Sequence, residues 1–449
     1  MGTRYGKRIV TDGLVLCLDA ADNISAPHND LPVKQGLVGW WDAADDSTVT
    51  LSGSNVTQWR DKSNSGYHMS PKSTGPTRSN TLNSKSILYF TNTQEIGTTS
   101  LNLSASSNTV FALTKKNNTS TGRILTADSS VGNNWLLGHH SAYYNEYYAE
   151  GWVASNTTLE DGNTWKIYVG TWDKDSDIAS IHSNGSTIAP DNVNGASAGP
   201  NTLGINWVSS QMSDANVAEV IVFNRALSSD ERTKVNNYLQ NKWNIEVSDA
   251  KWYDRTANGN NASFYNEPVY ADTNKGYFEF DGADTYMQGS IDSSTFSGAS
   301  SVSCWFNRHS VTSWSGLFSN NVSQTSAVLL TFNGTSNQVG INRSGVSAVT
   351  IGPTLSNYLN KWIFCTLVLA GSTSGSSILV YVYQDGNLST TGGTLYWDLN
   401  TSSNYYIGRH YTTATQIHDG YISQVLVHNK ALSADEVAQN YNATKGRYL

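Results

Sequence analysis

Hydrophobic and polar positions alternate along most of this chain with a period of two, the pattern of strands that bury one face. The runs are short. Asn184-Gly185, Asp281-Gly282 and Asp385-Gly386 separate several of them with the residue pairs that close tight hairpins. In the first half the alternation predicts strands over 9–19, 37–42, 86–90, 109–114, 165–171, 178–182 and 217–223. In the second half it predicts strands over 276–280, 302–306, 327–332, 362–369, 377–383, 405–408 and 422–428. Two places switch to a helical period. Ser228-Ser-Asp-Glu231 and Ser433-Ala-Asp-Glu436 are capping boxes, in which the Ser side chain caps the helix and the Glu reaches back. Val235, Tyr238, Leu239 and Lys242-Trp243 then share one face, as do Val437 and Tyr441 in the second helix. Many short strands with regular turns predict an all-β sandwich or jelly roll. The helices are expected to pack on it and seal its edge.

The apolar runs repeat in a nested order. VAEVIVFNRALSSDE at 217–231 matches ISQVLVHNKALSADE at 422–436, and GLVLCLDAAD at 13–22 matches GLVGWWDAAD at 36–45. The two openings are close together while the two endings are far apart. WRDKSNSGYHM follows the second opening at Trp59, whereas WYDRTANGNNA follows the first ending at Trp252. The simplest parse inserts one domain into another. Residues 1–8 form a basic arm, 9–22 with 251–449 an outer host, 23–35 a linker containing Pro27 and Pro32, and 36–247 an inner guest. Insertion requires the guest's ends to lie together and the host's severed edge to rejoin. The strand at 37–42 should therefore pair with 217–223, and the strand at 14–19 with 422–428. The second pairing is so distant in sequence that it implies slow folding of the host.

Composition narrows the function classes. The chain has 449 residues, enough for two full cores, and only 14% are charged, with 24 Tyr and 14 Trp. Strands with polar, uncharged outer faces suit that profile. A net charge of −8 without a basic stripe argues against nucleic acid. Cys17, Cys304 and Cys365 are odd in number and widely spaced, so they read as buried small hydrophobes; a Cys17–Cys304 bridge stays open. No run reaches the ~18 apolar residues of a membrane span. MGTRYGKRIVTDG also lacks the apolar stretch of an export leader. A surface-like composition without a leader fits a virion protein that assembles in a host cytoplasm.

The GLVxxxDAAD openings, the Trp-x-Asp-x-(Ser/Thr)-x-x-Gly turns, FDGADTY at 280–286 and the (Arg/Lys)-Ala-Leu-Ser-x-x-Glu helices resemble the concanavalin A-like lectin/glucanase superfamily. The branch they look most like is the laminin-G-like jelly rolls found in virion structural proteins of tailed marine phages. RIVTDGLVLCLDAADNIS resembles the start of such proteins. The resemblance implies two concanavalin A-like (laminin-G-like) jelly rolls, one inserted into the other, each with a short C-terminal helix. One fold of this kind hosts many jobs.

Three chemistries can be weighed on the residues. Glycoside hydrolysis needs two carboxyl groups across a cleft. Glucanases of this fold carry Glu-x-Asp-x-(x)-Glu on one strand. The nearest match, Glu279-Phe-Asp281-Gly-Ala-Asp284, breaks at a Gly that turns the chain, so no catalytic residue is expected. Pentraxin-like relatives bind calcium through a segment at the position of Asp284-Thr285-Tyr286. Their second acidic loop corresponds to 408–419, where Asp419 is the sole acid and Arg409 intrudes. Asp284 is thus a weak calcium candidate, and no cofactor is expected. Sugar binding is the third. The segment 134–152 is unusually aromatic, and rings flanked by amides and carboxylates suit a sugar. Trp135, His140, Tyr144 and Tyr147 are the candidate carbohydrate-binding residues.

The expected function is that of a non-enzymatic structural protein on a phage exterior: a head decoration, fibre or tail appendage, with glycan adhesion. Its partners would be other virion proteins docked by the arm residues Arg4, Lys7 and Arg8, further copies of itself, and a cell-surface glycan. The alternative is a lectin-type adhesin of a bacterial surface; a glycoside hydrolase ranks third.

Overall fold

A computed structural model describes residues 8–22, 30–117, 122–128, 133–155, 164–192, 199–271, 273, 276–310, 315–320, 328–333, 338–341, 349–354, 359–371, 376–391, 395–397, 403–410 and 416–449. The protein is built mostly of antiparallel strands, and the described strands form four sheets. The chain divides into two compact units, one made of Met1–Asn29 with Lys251–Leu449 and one of Asp30–Ala250. The first holds the nine- and eight-stranded sheets, the second the ten- and six-stranded sheets.

Each unit is organised around one long apolar strand buried on both faces: Ala215–Phe223 in one, Asp419–His428 in the other. The opening strand Leu37–Asp42 runs antiparallel to the first, from Asp42 opposite Glu219 to Leu37 opposite Phe223. Leu14–Asp19 pairs with the second in the same way, from Asp19 opposite Gln424 to Leu14 opposite His428. Both pairings are those the repeats predict. On its other side each long strand is paired along its length, with Asn108–Lys116 and Ser300–Arg308 respectively.

The repeated turn motif has a mechanical role. Asp61 accepts hydrogen bonds from the backbone N–H groups of Trp40, Ser63 and Tyr67. Asp254 accepts from those of Cys17, Thr256 and Asn260. One buried or part-buried carboxylate thus satisfies the orphan donors of a turn and ties that turn to the opening strand.

Both capping boxes are present, at Ser228/Glu231 and Ser433/Glu436. They start the helices α1 (Ser229–Trp243) and α2 (Ala434–Thr444). α1 does not seal a sheet edge. It lies on the outer face of the ten-stranded sheet, where Val235, Tyr238, Leu239 and Trp243 pack on Trp40, Phe111, Ile167, Val169, Ile221 and Phe223. Burying each such apolar side chain contributes roughly 1.5–3 kcal/mol, and the central strands, apolar on both faces, provide more surface than an edge strand. The opposite faces of those strands close the main core of the unit, with Trp41, Val110, Ala112, Val220 and Val222. α2 similarly places Val437 with Val10, Val368 and Tyr383.

A matched polar lock sits under each helix. Lys242 donates to Asp42 and Glu219, both at 2.7 Å. Arg447 donates to Asp19 at 2.6 Å, and Gln424, which replaces Glu219, donates to the same carboxylate at 2.9 Å.

The linker assignment needs correction. Leu31 and Val33 are buried in the core beneath α1, because two apolar residues near Pro32 find a pocket that their polar neighbours do not. The arm residues Arg4 and Lys7 lie outside the described residues. Arg8 is exposed; its carbonyl accepts from Gln439 of α2, and Val10 N–H donates to Asn440. All three cysteines are free and buried, with Cys304 opposite Cys365 on adjacent strands. Among the described residues, no helix is long and apolar enough to cross a membrane.

Candidate carbohydrate-binding face

The aromatic segment forms three adjacent strands, Trp135–His140, Tyr143–Ala149 and Trp152–Ala154. Trp135 stands opposite Ala149, Leu136 opposite Tyr148, Leu137 opposite Tyr147, and Tyr148 opposite Trp152. The period of two then sorts the side chains. Trp135, Leu137, Tyr147 and Ala149 enter the core. Tyr148 and Trp152 take the other face. At Gly138/His139 the register shifts. Gly138 has φ +100°, and a Cβ there would come within 2.6 Å of the Tyr168 ring, so this irregularity requires glycine. The alternation itself continues: His139 faces inward, edge-on to Tyr168, His140 joins the outer face, and the residue skipped by the register shift is Asn145 of the partner strand.

Trp152, 39% exposed, is gripped edge-to-face by Tyr148 at 5.1 Å and His140 at 5.4 Å. Arg123 is nearly buried and donates from Nη1 to Asn134 Oδ1 at 2.6 Å. The Asn134 N–H in turn donates to Glu150 Oε1. Burial, with Arg123 and Lys116 close by, lowers the His140 pKa below its ordinary value, so the ring is neutral at pH 7. Burial also lowers the Arg123 pKa, offset by the proximity of Tyr148. The result is a three-ring platform bordered by a guanidinium, an amide and a carboxylate. Such a face can stack on the C–H side of a sugar while the rim bonds its hydroxyls.

Of the four residues nominated from sequence, only His140 lies on this platform. Trp135 and Tyr147 are fully buried and pack on each other edge-to-face at 5.9 Å; core residues present no ring to a ligand, so their assignment is corrected. Tyr144 is half-buried, with the Lys166 ammonium 4.3 Å from its ring. Tyr148, Trp152 and Arg123 were missed. Tyr148 and Trp152 lie in the same aromatic run, and the signal that would have found them is the cross-strand pairing of Tyr148 with Leu136 and with Trp152, on the same face as His140. Arg123 gives no sequence signal.

Of the carboxylates considered for other chemistry, Asp281 is held by its own turn. Asp281 Oδ1 accepts from the N–H groups of Ala283, Asp284 and Thr285. Burial opposes ionisation, yet these bonds hold its pKa below the ordinary value. Asp284 is exposed in that turn. Nearby, the Arg409 guanidinium covers Tyr286 at 4.5 Å. No group of three or more His, Cys, Asp or Glu able to hold a metal occurs among the described residues. Calcium needs six to eight oxygens; residues 411–415 of the second loop lie outside the described residues.

A family model described as the concanavalin A-like lectin/glucanases superfamily (Laminin_G_3) matches residues 281–438. No curated protein sequence matches the chain. Among solved structures, domain 4 of AbnA, a GH43 extracellular arabinanase from Geobacillus stearothermophilus, in complex with arabinotriose, is 15% identical with a TM-score of 0.34, over 42% of this chain and 92% of that one. The botulinum neurotoxin type G receptor binding domain is 16% identical with a TM-score of 0.32, over 42% of this chain and 47% of that one, so the chain spans about half of it. Domains LG4-5 of the mouse laminin alpha1 chain are 12% identical with a TM-score of 0.28, over 73% of this chain and 86% of that one. Likenesses at this level carry no information about a ligand. The resemblance drawn from the repeated motifs is therefore matched over residues 281–438, which bear the concanavalin A-like signature.

Proposed function

We propose that this protein is a non-enzymatic adhesion component of a virion exterior, of the head-decoration, fibre or tail-appendage kind found in tailed phages, and that it binds saccharide through Trp152, Tyr148 and His140. In this reading the chain is two jelly rolls, with Asp30–Ala250 nested in the other unit and tethered at both ends. The observation that carries the binding role is the exposed Trp152 ring, clamped by two further rings and bordered by Arg123, Asn134 and Glu150. A fixed, accessible ring loses little entropy when a sugar stacks on it. The virion setting is supported by the resemblance of RIVTDGLVLCLDAADNIS to the openings of phage structural proteins. The arm residues Arg4, Lys7 and Arg8 would dock on neighbouring virion proteins or on further copies of this chain. The absence of catalysis is supported by Asp281, whose carboxylate is occupied by three backbone donors.

A glycan array with the full chain tests the binding role: Trp152→Ala should remove the signal, and an unchanged array profile would refute the site. Mass spectrometry of purified particles separates the virion reading from a lectin-type adhesin of a bacterial surface, which the same face would serve. A reducing-sugar assay that released product from a bound polysaccharide would overturn the non-enzymatic reading.

A further inference from the structure

The polar lock under α1 brings together the groups that make an amide. Asp42 and Glu219 stand directly opposite each other on the strands Leu37–Asp42 and Ala215–Phe223. Both meet the last turn of α1, where Lys242 Nζ lies 2.7 Å from Asp42 Oδ2 and 2.7 Å from Glu219 Oε2. Rings wall the site around the fully buried Glu219 side chain. Trp40 Nε1 and Tyr238 OH donate to its Oε1 at 2.6 and 2.7 Å, and Trp243 Nε1 donates to its Oε2 at 2.7 Å. The Tyr238 hydroxyl accepts from Lys242 Nζ at 3.0 Å. Asp42 has a different setting. Its Oδ2 also accepts from Lys62 at 2.9 Å and its Oδ1 from the Ala44 N–H, and Lys62 is open to water. A primary amine, a carboxyl group polarised by three neutral donors and a second carboxylate thus share one dry site. The lock of the other unit lacks the amine: it is the Arg447 guanidinium with Asp19 and the amide of Gln424.

We propose that Lys242 and Glu219 condense within the folded chain to form an isopeptide bond, with Asp42 as the proton acceptor. The ion pair is the state before condensation. The Lys242 ammonium gives one proton to Asp42, and the freed lone pair on Nζ adds to Glu219 Cδ. The charge that builds on the two Glu219 oxygens meets the donors of Trp40, Tyr238 and Trp243, which are already in place. Oε2 then leaves as water, taking the second proton of Nζ and the one returned by Asp42. One ammonium and one carboxylate become a secondary amide and a water, and nothing is oxidised or reduced. Asp42, shared between two ammonium groups, suits the proton-relay role; Glu219, which meets only neutral donors besides Lys242, suits attack. Lys62 keeps Asp42 paired once the charge of Lys242 is gone. Groups held in contact by a fold react as though at a concentration on the order of 10⁵ M or more. The product also removes two charges from a buried site, where each carries a desolvation cost, and the walls that exclude water protect the amide from hydrolysis. Lys62, Lys72 and Lys430 also pair with carboxylates but are more exposed, so water competes there. The bond would fasten the end of α1 to the long central strand of its unit.

Intact-mass spectrometry of the full chain, purified and held folded at neutral pH, tests this inference. The mass should fall short of that of the sequence by about 18 Da, one water, and a tryptic digest should yield one branched peptide joining Lys242 to Glu219. Lys242→Met and Glu219→Ala should each keep the full mass, and Asp42→Ala should slow the loss by about a hundredfold, the worth of a positioned base. The wild-type chain held in urea should also keep its full mass, which ties the reaction to the folded site without relying on a variant that folds poorly. The digest separates the bond from ring closure at Asp281-Gly282 or Asp385-Gly386, which sheds the same mass at another place. Three results would overturn the inference: a folded chain that keeps its full mass on prolonged incubation, a branched peptide that joins Lys242 to Asp42 instead, or a water loss confined to other residues.

Discussion

Replacing Lys242 by Met tests how the helix α1 is held to its sheet. The Lys242 ammonium lies 2.7 Å from both Asp42 Oδ2 and Glu219 Oε2, and the three side chains are 9%, 5% and 0% exposed. Met keeps the stem and removes the charge. Asp42 retains Lys62 at 2.9 Å. Glu219 retains only neutral donors: Trp40 Nε1 at 2.6 Å, Tyr238 OH at 2.7 Å and Trp243 Nε1 at 2.7 Å. The cost is therefore that of one buried carboxylate stripped of its counter-charge, about 3–5 kcal/mol. The three remaining donors place it near the lower end. At roughly 2–4 °C per kcal/mol for a unit of this size, the melting temperature of Asp30–Ala250 should fall by roughly 6–12 °C. Urea unfolding followed by tryptophan fluorescence reads the change directly. The double variant Lys242→Met/Glu219→Gln should cost less than the sum of the single changes, since Gln leaves no orphaned charge. A loss below about 1 kcal/mol, the range of a solvated surface pair, would refute the buried-lock reasoning.

Two further outcomes follow from burial in the unit that contains Lys251–Leu449. Burial lowers the pKa of His418 to about 3 and of His410 to about 4, and lowers that of His428 as well. An unfolded imidazole takes up its proton near pH 6.5, so the unfolded chain gains protons that the folded one refuses. Stability should thus be complete above pH 6.5 and fall as the pH drops towards the folded values, by roughly 2–4 kcal/mol between pH 6.5 and 5; urea midpoints that stay level over that range would contradict this. Burial also raises the thiol pKa of Cys365 to about 12 and those of Cys17 and Cys304 as well. Since the thiolate is the reactive form, a thiol reagent should label none of the three in the native protein and all of them in denaturant, and fast native labelling would show that the strands carrying them open.

The strands were legible where burial left a strong pattern. Val220-Ile-Val-Phe223 and Val425-Leu-Val-His428 are apolar on consecutive positions because sheet and helix bury both faces. Their pairing with distant openings could be read because each half repeats its own beginning and end. The repeats marked Asp61 and Asp254 as equivalent but could not show that each carboxylate holds a turn against the opening strand. Composition misplaced Leu31 and Val33, since a segment with Pro32, Asn29 and Asp30 looks like a linker even when two of its residues are core. The binding face was half legible. An aromatic run was evident, but which rings point outward depends on parity, which runs unbroken from Trp135 to His140 and breaks on the partner strand at Asn145, whose φ is +62°. The break at Asn145 has no signal in one sequence. Trp135 and His140, five apart on one strand, face opposite sides, so the nominated set mixed core rings with outer ones.

The central claim is that Trp152 is the floor of a saccharide site. The most direct measurement is the dissociation constant of an array-selected oligosaccharide for the full chain and for Trp152→Phe and Trp152→Ala. The account predicts that Phe retains binding with a modest loss, while Ala weakens it by about tenfold or more, the worth of one stacked ring. Equal affinity in all three proteins, each folded by circular dichroism, would contradict it.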